Sequence, residues 1–88
     1  MVQSLDTIKV YVIHSPKFDR KYVGMTVNVE ARLAEHNSGK TRSTKPYIPW
    51  EVVHSESYPN REEARKREKY LKSAAGRRFL KAKLGLDN

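Results

Sequence analysis

Glu68 lies in a stretch whose apolar residues recur at helical spacing, with Ala64 four positions before it, Leu71 three after it and Ala75 beyond. That spacing turns the carboxylate toward the inner face, while Arg65, Lys66, Lys69 and Lys72 have more access to solvent. An inward-facing carboxylate must be paired, bind a metal or give up its charge, because an unpaired buried charge is costly. The two readings are an ordinary ion pair with a core-facing Arg and a ligand for a divalent cation.

Arg32 and His36 stand four apart and share one side of an earlier helical run. A guanidinium can hold a phosphate through two parallel hydrogen bonds, and an imidazole titrates near neutral pH. Tyr11 and Tyr22 fall on two extended segments separated by a turn near residues 16–19, so a hairpin would bring them close. A strand tyrosine usually serves the core; acting as a base requires a metal or an Arg nearby to depress its pKa. His14 and His54 sit in strands and read as structural. The stretch Ser38-Gly39-Lys40-Thr41 imitates the end of a phosphate-binding loop, but Ala34 stands where that motif needs glycine. It is not a P-loop.

The positioning elements follow from periodicity and punctuation. Ile8 to Ser15 alternates as a strand, with Ile8, Val10 and Val12 on one face and Tyr11 and Ile13 on the other. Lys21 to Met25 is a short second strand, antiparallel to the first. Asn28 caps a helix over Val29 to Asn37, along which Val29, Leu33 and His36 recur, and Gly39 stops it. Residues 38–49, with two prolines and no hydrophobic period, read as a long loop of the kind that often carries function. Trp50 to Ser57 is a third strand, ended by Pro59. Asn60 and Glu63 form a capping box for a helix from Arg61 to about Ala75, and Gly76 breaks the chain before a basic helix at about 77–84. The order β-β-α-β-α-α predicts an α+β domain: a small three-stranded antiparallel sheet packed by helices, spanning residues 1–88 without a second domain.

Composition narrows the partners. The 88 residues contain no cysteine, so disulfides and Cys-based zinc sites are excluded, and the three histidines are too scattered for a known metal spacing. No apolar run reaches the length of a membrane span and Met1 to Thr7 has no signal-peptide core, so no membrane partner and a cytoplasmic location are expected. Eighteen basic against ten acidic residues give +8, concentrated in residues 60–88, where ten basic and four acidic side chains leave +6. A polyanion is the natural partner, through release of the counterions condensed on its phosphates; solubility alone is the other explanation. Lys40, Arg42 and Lys45 on the long loop, and Arg77, Arg78, Lys81 and Lys83 near the C-terminus, are candidate phosphate contacts that can equally be solvated charges.

Val10-Tyr11-Val12, Tyr22-Val23-Gly24, Arg32, His36, Glu63-Ala64 and Glu68, taken in order, resemble the GIY-YIG nuclease pattern. The resemblance runs over roughly residues 8–72 and is closest to small single-domain bacterial members related to the nuclease domain of the DNA-repair excinuclease. Three departures are visible. Lys9 replaces the glycine of the first triplet, Met25 stands where the excision-repair branch has lysine, and no asparagine follows the Glu68 helix at the family's distance, Asn88 being terminal.

The resemblance implies a metal-dependent endonuclease cutting nucleic-acid phosphodiesters, with DNA the expected substrate. It implies one Mg²⁺ or Mn²⁺ held by Glu68, Arg32 offsetting phosphate charge, and Tyr11 or Tyr22 helping to deprotonate the attacking water. His36 would assist proton movement or orient a tyrosine. Family members often carry a further domain that chooses the target, so a protein partner is a candidate for that task. The alternatives are a catalytically weak or inactive nucleic-acid-binding module on the same scaffold, and a protein-interaction adaptor.

Overall fold

The computed structural model describes residues 7–85. Asn88 therefore lies outside the described residues. Strand β1 (Ile8–Ser15) is central, with β2 (Arg20–Thr26) and β3 (Glu51–Tyr58) antiparallel on either side. The remaining elements are helices α1 (Val29–Ser38), α2 (Arg61–Lys72) and α3 (Ala74–Leu84). This is the predicted β-β-α-β-α-α order and the predicted three-stranded antiparallel sheet.

The central strand has no solvent face. Ile8, Val10 and Val12 pack with Val23, Ala64, Leu71 and Leu80 on the side covered by α2 and α3. Tyr11 and Ile13 pack with Trp50, Tyr22, Val29 and Leu33 on the side of α1. Alternation along β1 thus assigns each residue to a core, and a one-residue slip would exchange the two sets. The β1–β2 register sets Tyr11 opposite Gly24 and Ile13 opposite Tyr22. Between β1 and β3 the register shifts after Val12, which faces His54, while Ile13 faces Val52.

Local signals explain most helix ends. Asn28 accepts a hydrogen bond from the Ala31 N–H and Asn60 from the Glu63 N–H, and Gly39 ends α1 in the left-handed region at φ 86°. Two expectations need correction. The break after α2 falls at Ser73, not Gly76, and Ala75 is exposed within α3 instead of extending the α2 stripe. Ser73 leaves helical geometry at ψ 170° and caps α3 by accepting from the Gly76 N–H. Gly76 is there because α3 crosses the end of α2 so closely that a Cβ would collide with the Tyr70 carbonyl and the Leu71 backbone. The segment 38–49 also holds a short 3₁₀ turn at Lys45–Tyr47. Asn37 closes this segment at its two ends, its Oδ1 accepting from Trp50 N–H at 2.7 Å and its Nδ2 donating to Trp50 O at 3.0 Å.

On the face of β3 toward α2, Glu56 gathers Arg67 at 2.9 and 3.0 Å, the Tyr58 hydroxyl and His54 Nε2. Burial alone would raise this carboxyl, but the donated hydrogen bonds, Arg67's first, outweigh it and bring the pKa to about 2. His54 is thus structural, as its strand position suggested. His14 likewise pairs with Asp19 at 3.2 Å.

Candidate active site on the Tyr11–His36 face

Register and helix phase bring four of the five candidate residues together. Tyr11 from β1 and Tyr22 from β2 lie 6.2 Å apart between ring centroids, a diagonal cross-strand pair. His36, from the last turns of α1, packs edge-on against Tyr22 at 4.8 Å and is wholly buried. Tyr11 and His36 share a buried hydrogen bond of 2.9 Å.

The network assigns the protons. The Thr44 hydroxyl donates to the Thr41 carbonyl at 3.4 Å and therefore accepts from His36 Nδ1–H at 2.9 Å. His36 Nε2 is then the lone-pair nitrogen, and Tyr11 O–H donates to it. Burial, then the positive charge of Arg32, pushes the His36 pKa below its usual 6.5, with Glu35 pulling weakly the other way. The neutral tautomer is the resting form.

Burial also drives the Tyr11 phenol up to about 12, although Arg32 interacts with its hydroxyl and pulls it back. Arg32 itself is held by Glu35 one turn on, at 2.5 Å, and is pushed up by that pairing and by Tyr11. Glu68 also acts on Tyr11, adding the smallest of the upward pushes on that phenol. Its own partner is Lys72, one turn along α2 at 3.1 Å, and not the core-facing Arg considered from sequence. The Glu68 side chain is only 17% exposed, whereas that of Lys72 is 54% exposed. Lys72 in turn lines an open cavity with Tyr22.

The protonation of His36 gives the domain an acid-sensitive side. An unfolded chain binds a proton on this imidazole at about pH 6.5, whereas the folded chain resists until a lower pH, so the unfolded state carries more protons in between. Stability contributed by neutral His36 is complete above pH 6.5 and is lost as pH falls through that window. A second loss follows between pH 4.5 and about 2, where Glu56 takes up its proton. Melting temperatures measured from pH 8 to pH 3 are expected to fall in these two steps. A flat profile between pH 7 and 5.5 would contradict the buried neutral imidazole.

The donor set near Glu68 suits one kind of metal. Among the described residues no group of three or more His, Cys, Asp or Glu side chains converges, so an all-protein cage is not built. A lone carboxylate with an exchangeable exposed partner matches a hard cation such as Mg²⁺, which keeps several waters and takes further oxygens from substrate phosphate. The residues fit that ion.

Lys40, Arg42, Lys45, Arg77 and Arg78 all lie at the surface, Lys40 and Arg42 on the long loop and the last two on α3. Arg77 reaches the cavity beside Tyr22; the other four are not drawn to the site by any side-chain contact described. Sequence reasoning missed Thr44, which carried no signal within an aperiodic loop. It also missed the tight fit over Gly24, where a Cβ would lie 2.7 Å from the Tyr11 hydroxyl oxygen. The hairpin register opposes Gly24 to Tyr11, so counting outward from the turn would have found that pair.

The chain and its fold have counterparts. A UPF0213 protein of Staphylococcus haemolyticus is 38% identical over 73 residues, 82% of this chain and 88% of the relative. One from Natronomonas pharaonis is 40% identical over 65 residues, 73% of this chain and 75% of that protein. The solution NMR structure of a UPF0213 protein from Bacillus halodurans superposes with a TM-score of 0.53 at 28% identity, covering 90% of this chain and 86% of that one. The family model described as the GIY-YIG catalytic domain matches residues 8–81, which takes in both tyrosines, Arg32, His36 and Glu68. The chain belongs to the GIY-YIG nuclease family.

Proposed function

We propose that this protein is a divalent-metal-dependent endonuclease hydrolysing phosphodiester bonds in nucleic acid, with DNA as the substrate. The observation that carries the reading is the convergence of Tyr11, Tyr22, Arg32 and His36 on one face, within the field of Glu68 and beside an open cleft.

Glu68 would hold Mg²⁺ or Mn²⁺ once Lys72 yields its place on the carboxylate. The bound ion supplies positive charge that polarises the phosphate and stabilises the leaving oxygen. Arg32, kept in place by Glu35, presents its remaining N–H groups to the charge that gathers on the phosphate. Tyr11 is shut away at 1% exposure with its proton committed to His36, so it is poorly placed to meet water. Tyr22 is half-buried and lines the cleft, which makes it the phenol that orients and deprotonates the attacking water. Tyr11 and His36 then act as positioning residues, holding the wall against which Tyr22 packs.

This division predicts different outcomes for two similar substitutions. Tyr22→Phe should lower the cleavage rate by about 10²-fold with melting unchanged within about a degree or two, since the ring is only half-buried and its hydroxyl makes no hydrogen bond among the described residues. Tyr11→Phe should lower stability by about 1–3 kcal/mol, because the His36 nitrogen it leaves is buried and unpaired, with a smaller loss of rate. The reverse pattern, with Tyr11→Phe neutral in melting and the more damaging to rate, would assign the base to Tyr11.

The Glu68–Lys72 bridge favours a second reading, a nucleic-acid-binding module in which the carboxylate stays occupied. One gel separates the two. Supercoiled plasmid incubated with the purified protein should be nicked with Mg²⁺ or Mn²⁺ and intact with chelator. Salt-sensitive binding without nicking under either metal would support the module.

A further inference from the structure

One buried ammonium, that of Lys21, is left without a hydrogen-bond acceptor among the described residues. It lines a cavity of about 370 Å³ together with Tyr22, Lys72 and Arg77, over a floor that includes Leu71 and Leu80. Arg77 is fixed at the mouth by donating from Nη1 to the Lys72 carbonyl at 3.0 Å, which leaves most of its N–H groups unspent. Lys72 pairs with Glu68, so this cavity adjoins the proposed metal ligand.

Three cations around one cavity repel one another. Burial, then the charge of Arg77, lowers the Lys21 pKa, with only Asp19 acting in the opposite sense. An ammonium held in this way is unfavourable unless an anion completes it, since a buried charge needs a partner. The apolar floor thins the water around the ammonium, which strengthens any charge–charge contact made there. Lys21 sits immediately before Tyr22 on β2, so its side chain leaves the strand on the face opposite the Tyr22 ring, and the cavity meets the proposed site through the Lys72–Glu68 bridge.

We infer that Lys21, Lys72 and Arg77 form a phosphate subsite that grips a backbone phosphate of the nucleic acid, neighbouring the one to be cut. This rests on the nuclease reading above. The subsite fixes the strand on the side of Tyr22 away from His36, which supplies positioning that the chain would otherwise lack near the scissile bond. Lys40, Arg42 and Lys45 contribute charge to the surface, but Lys21 contributes a defined place.

The test uses the full chain with chelator present, so that binding is read without cleavage. Fluorescence anisotropy of a labelled oligonucleotide across a salt series is measured for wild type, Lys21→Met, Arg77→Gln and Lys66→Gln, the last an exposed residue of α2 with the same change in charge. Lys21→Met is expected to weaken binding about tenfold, and to reduce the slope of log K against log salt by about one. Arg77→Gln should act in the same direction, and Lys66→Gln much less. Lys21→Met should also melt no lower than wild type, because an apolar stem replaces an unpartnered charge.

A parallel titration with inorganic phosphate, followed by amide NMR shifts, separates the sources of the anion. Shifts at Tyr22 and Arg77 that vanish in Lys21→Met, together with the oligonucleotide effect, support the subsite. Phosphate binding with oligonucleotide affinity and salt slope unchanged in Lys21→Met overturns the backbone-phosphate assignment, as does an effect no larger than that of Lys66→Gln. Failure of this inference is distinct from failure of the nuclease reading: in the first case wild type still nicks plasmid with metal, and in the second wild type leaves plasmid intact with either metal, whether or not it binds.

Discussion

Glu68→Gln should reduce metal-dependent nicking by about 10³-fold, which corresponds to about 4 kcal/mol of transition-state stabilisation. The substitution keeps the size and shape of the side chain and removes only its charge. What it costs in folding is the bridge to Lys72, an i,i+4 pair with a largely exposed partner. Such pairs contribute about 0.3–0.5 kcal/mol, so the melting temperature should move by about 2–4 °C at most in a domain of this size. Rate and stability are therefore expected to separate cleanly. Plasmid nicking measured beside a thermal melt reads both, and a variant that nicks as fast as wild type would remove the carboxylate from the chemistry.

Gly24→Ala should damage folding and cleavage together. Tyr11 lies across Gly24 in the β1–β2 register, and the added Cβ would sit 2.7 Å from its hydroxyl oxygen and 2.8 Å from Cζ. Tyr11 has no room to retreat, because it is buried against Ile13 and Trp50 and bonded to His36. Overpacking of this kind costs about 1–3 kcal/mol, and in a domain this small each kcal/mol lowers the melting temperature by about 4–8 °C. Displacing the ring also moves His36 and the wall behind Tyr22. A shift of about 1 Å there is expected to cost about 10²-fold in nicking. Unchanged melting with full activity would show that the phenol is not held where the register puts it.

The residues that were easiest to place from sequence are those whose signals are local. Alternation from Ile8 to Ser15 assigned Tyr11 to the face opposite Val10 and Val12, and the two cores confirm that division. Asn28, Gly39 and Asn60 marked helix ends through side-chain capping or a left-handed backbone, effects that act within three or four residues. Helical spacing turned Glu68 inward and set Arg32 and His36 on one flank.

Features decided by long-range packing were not legible. Gly76 looks like a helix breaker, yet it serves a close crossing between α3 and the end of α2, which no local pattern announces. Thr44 is buried and completes the His36 network from within a polar loop, because Asn37 and Trp50 fold that loop back onto α1. Lys72 is solvent-facing, as its spacing suggested, but its place in the lining of the cavity depends on how α2 packs on β2. Arg67 was silent for the same reason: its bidentate grip on Glu56 joins α2 to β3 across eleven residues of chain.

Amide NMR spectra of the labelled protein titrated with Mn²⁺ test most directly whether one carboxylate organises this site. The paramagnetic ion should broaden the signals of Glu68, Lys72 and Tyr22 first, and Glu68→Gln should erase that pattern while the rest of the spectrum stays folded. Broadening centred on the His54–Glu56 cluster, or a pattern identical in wild type and Glu68→Gln, would contradict the account.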